Sequence, residues 1–199
     1  MDKEYRALIA FLNEAEKLKS TLRHNWMTSG RQEDSSQHSW RAALFFIIAQ
    51  ELWQFKADPY KTLIMLIMHD LPEATYGDIA GFKKETDLDA HTQHKLREQE
   101  AAKQLYALLP GRLAQKFTHL QEEFEKGESP EAKIAQALEK IETQLQHLES
   151  GPKYWSDEER GDHMLNYPNK AVNNLDDEHV AAIWKIIQKE IHRLTYPQE

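Results

Sequence analysis

The chain has 199 residues, with 25 basic and 33 acidic side chains, a formal net charge of −8, no cysteine, and 40% hydrophobic against 29% charged residues. That length supports one sizeable core and falls short of two ordinary domains, so a single domain over residues 1–199 is expected, with a core over about 3–150 and a C-terminal extension over 151–199. The composition excludes disulfides, thiolate metal sites and cysteine nucleophiles, the apolar runs stop short of the roughly 20 residues of a bilayer span, and the negative charge disfavours a polynucleotide partner.

Tyr5, Leu8, Ile9, Leu12, Ala15 and Leu18 recur at i, i+3, i+4 spacing, which predicts an amphipathic helix over about 3–19. The pattern fails from Ser20 to Gln37, a polar stretch carrying Arg23, Trp26 and Arg31, so a loop is expected there, either functional or a solvated linker. His38 opens a second helix running to about Phe55, with Ser35 or Ser36 as its cap. Asp58-Pro59 marks the next start, and a buried central helix follows from about Tyr60 to Asp70, limited by Pro72.

Gly77, Gly81 and the charged run Lys83–Asp87 predict an exposed loop before a helix over about His91–Leu109. Pro110-Gly111 breaks it, and further helices are expected over about Arg112–Glu125 and Glu131–Glu149. Residues 151–175 mix Gly, Pro, Asn, Tyr and Trp without periodicity and are expected to form an ordered surface excursion. Val180, Ile183, Trp184, Ile187, Ile191 and Leu194 then predict a C-terminal helix. With no strand pair expected, the fold class is all-α: a compact single-domain bundle of about six to eight helices.

The run Leu63-Ile64-Met65-Leu66-Ile67-Met68 ends abruptly in His69-Asp70, with Glu73 and Asp78 just beyond. Adjacent side chains on a helix diverge by about 100°, so His69 and Asp70 converge only on a point beside the helix end, such as a metal ion. Two ligands do not hold an ion, and a helix end capped by a mutually bonded His-Asp pair accounts equally well for the dipeptide alone.

The wider arrangement resembles the HD-domain phosphohydrolases, whose metal motif is a His, a His-Asp pair and a distant Asp. Arg31-Gln32-Glu33-Asp34-Ser35-Ser36-Gln37-His38-Ser39 resembles the Arg-x-Glu-Asn-x-x-Glu-His-Ser segment of the 5′-deoxynucleotidase branch. His69-Asp70-x-x-Glu73-x-x-x-Gly77-Asp78 resembles that branch's central motif, and Pro130-Glu131-Ala132-Lys133 with its helix is also similar. The resemblance implies a metal held by His38, His69, Asp70 and, where the family has Asp, Glu139. A surface role for Glu139 is the alternative, with Glu142 or water completing the shell.

Two imidazoles with two carboxylates suit one divalent transition metal ion: Mn, Co, Fe, Ni or Zn. Such a site suits phosphoester hydrolysis, with Glu73 orienting or deprotonating water and Asp78 assisting proton transfer, as the resemblance also implies. Arg23 and Arg31 are candidates to hold phosphate, and Trp26 to stack on a base or sugar or to plug the loop onto the core. The implied enzyme is a metal-dependent phosphohydrolase acting on a small nucleotide, foremost a (deoxy)nucleoside 5′-monophosphate, then a triphosphate or cyclic dinucleotide. A non-catalytic nucleotide- or metal-binding module is the alternative. The expected setting is cytoplasmic, without membrane attachment, and the resemblance favours a homodimer.

Overall fold

A computed structural model describes residues 1–77, 88–157, 159–160 and 162–196. The chain runs α1 (Asp2–Ala15), a 3₁₀ turn (Glu16–Ser20), β1 (Leu22–Trp26), β2 (Gln32–Asp34), α2 (Ser35–Trp53), α3 (Pro59–Met68) and the short α4 (Glu73–Tyr76). Then come α5 (Leu88–Tyr106), α6 (Gly111–Lys126), α7 (Pro130–Ser150), a 3₁₀ turn (Pro152–Tyr154), α8 (Asp162–Asn166), α9 (Asn169–Leu175) and α10 (Glu178–Thr195). No helix of the described residues is long and apolar enough to cross a membrane.

The molecule is built around α7. Ser129 Oγ accepts from the Ala132 amide, Pro130 takes the first helical position and Gly151, at φ +83°, ends the helix. Ala132, Ala135 and Ala137 are fully buried beside Leu138 and Ile141, so small side chains let α2 and α3 close on one side of α7 and α9 and α10 on the other. Each fully buried large apolar side chain contributes roughly 1.5–3 kcal/mol. The central helix starts as expected, with Asp58 accepting from the Tyr60 and Lys61 amides, but its last helical residue is Met68 and His69 is its cap.

Four expectations need correction. Residues 20–37 are not a loop without strands: β1 and β2 pair antiparallel, Leu22 with Asp34 and Trp26 with Gln32, through an irregular register. Three polar residues in β2 cannot show the alternation that marks a strand in sequence. Gly30, at φ +81°, sits in the hairpin turn, where a Cβ would meet the Tyr154 hydroxyl at 2.8 Å. Second, α2 begins at Ser35 instead of His38, and its cap is Asp34: the Asp34 carboxylate accepts from the Gln37 amide while the Gln37 side chain accepts from the Asp34 amide.

Third, the amphipathic helix expected over about 3–19 divides into α1 and a 3₁₀ turn, and α1 has no buried residue; Tyr5, Leu8, Ile9 and Leu12 are 49–60% exposed. Only the far end docks, with Phe11 and Ala15 against Leu18, Leu105 and Tyr106. Similarly α3 is buried only along Thr62, Met65 and Leu66, leaving Ile67 half exposed. Fourth, the described residues of 151–175 are packed structure and not a surface excursion, with Trp155, Met164, Ala171 and Val172 buried in the main core.

Candidate metal centre

Three of the four proposed metal residues come from the three helices that meet at the core, and Asp70 follows the end of α3. His38 lies in the first turn of α2, which the Asp34–Gln37 capping box fixes. His69 ends α3, its carbonyl accepting from Gln121 Nε2 at 3.2 Å and its ring packed against Phe124. Glu139 projects from the middle of α7 and is 8% exposed, which sets aside the surface alternative. His38, His69 and Glu139 bring one ligand atom each within 4.8 Å of one another.

Hydrogen bonding decides which imidazole nitrogens face the centre. His69 Nδ1 lies 2.9 Å from the Leu66 carbonyl and donates to it, and His38 Nδ1 donates to the Glu142 carboxylate. In the neutral rings these bonds leave the Nε2 atoms facing the centre with their lone pairs, and the two lie 3.3 Å apart, close enough to share a proton or a metal ion. Asp70 adds Oδ1 at 3.2 Å from His69 Nε2 and Oδ2 at 3.9 Å from His38 Nε2. Glu139 Oε2 lies 4.0 Å from His38 Nε2.

Two imidazole nitrogens and two carboxylates this close together call for positive charge among them, as a proton or a metal ion. Donor atoms about 3–4 Å apart also match the spacing around an ion held roughly 2.1 Å from each. The residues thus fit a metal ion. The His38 imidazole responds to the same demand: desolvation by burial and Arg23 push its pKa down, but Glu142 and Asp70 together hold it above the ordinary value. His69 lies below its ordinary value because burial dominates over the help from Asp70.

Glu142, which the sequence offered only as a substitute ligand, and Arg41 and Thr143, which it did not single out, surround the centre. Glu142, fully buried, bonds His38 on the side away from Nε2 and so supports the imidazole instead of joining the acceptors. Arg41 Nε donates to Glu142 at 2.5 Å, and its NH1 to Glu149 at 2.6 Å. Thr143 Oγ lies 3.5 Å from Arg23 NH2. The available signal was the i, i+3, i+4 series Glu139, Glu142, Thr143 on one side of the helix.

The other predicted residues divide. Arg23, on β1, joins the centre: NH1 donates to Asp70 Oδ2 at 2.9 Å and Nε lies 3.4 Å from Glu33. Buried Glu33 is raised to a pKa of about 7 by desolvation and Glu142, against the pull of Arg23. Glu73 is buried and accepts from Ser35 Oγ at 2.8 Å, which fixes the carboxylate one turn beyond Asp70. Trp26 stacks on Tyr154 at 4.9 Å and 7°, pinning the hairpin to the segment after α7. Arg31 stands exposed at the hairpin turn, 3.9 Å from Asp34. Asp78 lies outside the described residues.

The family described as HD domain matches residues 15–183. The chain is similar to the 5'-deoxynucleotidase HDDC2 of Homo sapiens, 31% identical over 146 residues, covering 72% of this chain and 68% of that protein. It is similar to the 5'-deoxynucleotidase hdd1 of Schizosaccharomyces pombe at 23% over 150 residues, covering 74% of each. Among solved structures, a predicted metal-dependent phosphohydrolase from Magnetospirillum magnetotacticum MS-1 superposes with a TM-score of 0.79 at 25% identity, covering 96% of both chains.

Proposed function

The chain belongs to the HD-domain family, and on that premise we propose that it is a metal-dependent phosphohydrolase that releases phosphate from a small nucleotide, foremost a (deoxy)nucleoside 5′-monophosphate. The observation that carries this reading is the grouping of two imidazole Nε2 atoms with Asp70 and Glu139, buried at the meeting of three helices. The named activities of the similar proteins support the substrate class.

In this reading His38, His69, Asp70 and Glu139 hold one divalent transition metal: Mn, Co, Fe, Ni or Zn. When bound, the ion supplies Lewis acidity toward a phosphate oxygen and lowers the pKa of water. Glu73, held by Ser35, takes a proton from the attacking water, and Asp78 assists proton delivery to the leaving 5′ oxygen as the phosphorus–oxygen bond breaks. Arg23 offsets charge on the phosphate from its place beside Asp70. Arg31 and Trp26 serve farther out, Arg31 toward substrate charge and Trp26 through a ring that already leans on Tyr154.

A homodimer and a cytoplasmic setting complete the proposal. The apolar faces that α1 and α2 leave exposed, Leu8, Ile9 and Leu12 on one and Leu44, Ile48 and Leu52 on the other, support self-association. A sedimentation experiment giving only monomer at micromolar protein removes the dimer from the reading.

The deciding experiment strips the protein with a chelator, restores single divalent ions and measures phosphate release over a panel of nucleoside monophosphates, triphosphates and cyclic dinucleotides. Metal-dependent release from monophosphates is expected. Full activity of the stripped protein refutes the metal mechanism, and release confined to another panel member moves the substrate class.

A further inference from the structure

Lys140 follows Glu139 in α7, and successive side chains on a helix leave the axis about 100° apart. These two nevertheless meet, with Lys140 Nζ donating to Glu139 Oε1 at 3.0 Å. The other oxygen, Oε2, is the one that faces His38. Lys140 is held there from the C-terminal side: its Nζ lies 4.9 Å from the Tyr167 ring centroid.

Tyr167 sits in the turn between α8 and α9, and its amide donates to the His163 carbonyl at 2.9 Å. Two residues on, Asn169 Oδ1 accepts from Trp184 Nε1 of α10 at 2.6 Å, so the turn is anchored to the core. The chain segment that begins after α7 thereby reaches the metal centre through one cation.

Glutamate has one more rotatable bond than aspartate, and an unrestrained glutamate carboxylate has more ways to turn and can bind through both oxygens. We propose that Lys140, backed by Tyr167, is a positioning residue that occupies Glu139 Oε1 and so makes Glu139 a single-oxygen ligand directed at the His38–His69 pair. The proposal rests on the metal reading above and accounts for how this chain accommodates glutamate where its relatives' motif has aspartate.

The test measures metal affinity, not turnover. The full chain is stripped and titrated with Co(II) or Mn(II) against a fluorescent chelator, and the Co(II) absorption spectrum reports the ligand geometry. Lys140→Met is expected to weaken binding about tenfold, the lower end for loss of a group that orients a ligand, and to change the Co(II) spectrum. Tyr167→Leu should weaken binding in the same direction by less. In a Glu139→Asp background, where the shorter carboxylate falls a methylene short of Lys140, Lys140→Met should add nothing.

Parental affinity in Lys140→Met overturns the proposal, as does an equal loss in both backgrounds. Should circular dichroism show Lys140→Met unfolded, Tyr167→Leu decides, since it leaves α7 intact, and parental affinity there is the overturning result. A parent protein that takes up no metal refutes the metal reading itself, which is a different outcome from a parent that binds and a Lys140 variant that matches it.

Discussion

Replacing Glu142 with alanine is expected to damage both stability and metal binding, in amounts that the surroundings of this residue set. The carboxylate is 1% exposed and accepts from His38 Nδ1 and Arg41 Nε, so its removal leaves two buried or half-buried donors without their partner. Breaking a buried pair from one side costs about 3–5 kcal/mol. Arg41 keeps Glu149 and is itself partly solvated, with 24% of its side chain exposed, which places the expected loss near the lower end, about 3 kcal/mol.

Metal affinity should fall on the order of 10- to 100-fold, because the His38 ring loses the bond that makes Nδ1 the donor and aims Nε2 at the centre. Glu142→Gln keeps the shape and one acceptor but not the charge, and should lie between alanine and the parent. Urea unfolding of the metal-free protein gives the first quantity and chelator competition the second. A stability loss below about 1 kcal/mol together with parental metal affinity would show that Glu142 is a spectator and refute the orientation argument.

Other perturbations separate the remaining parts of the site. Arg23→Ala should raise KM strongly, since Arg23 touches Asp70 at the centre, and Arg31→Ala at the exposed turn should raise it by less; equal effects would contradict the placement of the two residues. His147 is buried, and desolvation lowers its pKa from near 6.5 to about 4, so between those values the unfolded chain holds a proton that the folded chain does not. Its contribution is complete above pH 6.5 and is lost as pH falls toward 4, up to about 3 kcal/mol at roughly 1.4 kcal/mol per unit, and His147→Gln should flatten that part of the stability curve. A slope as steep in the variant as in the parent would count against it. Leu66→Ala, at a fully buried position in α3, should cost about 3–4 kcal/mol by calorimetry or denaturant, and a loss under about 1 kcal/mol would mean that α3 is not packed as described.

The sequence by itself determined the helical class and the places where most helices begin and end, and its resemblance to the HD-domain family pointed to His38, His69, Asp70, Glu73 and Glu139 as candidates. The first two rest on local chemistry, namely periodicity, Pro and Gly punctuation and caps, whereas the candidates rest on the order of family motifs along the chain. What it could not carry was anything set by partners far along the chain. That Glu142 and not Glu139 supports His38 depends on which side of α7 faces α2, and both glutamates are equally acidic in sequence. Arg23 and Arg31 were indistinguishable until β1 brought one to Asp70 and the hairpin turn carried the other into solvent. The stripe on α1 stands exposed among the described residues, because periodicity reports that a helix has an apolar side without saying what meets it. The part played by Tyr154 and Tyr167 was invisible for the same reason, since aromatic residues in an irregular stretch acquire meaning only when packing sets them against Trp26 and Lys140.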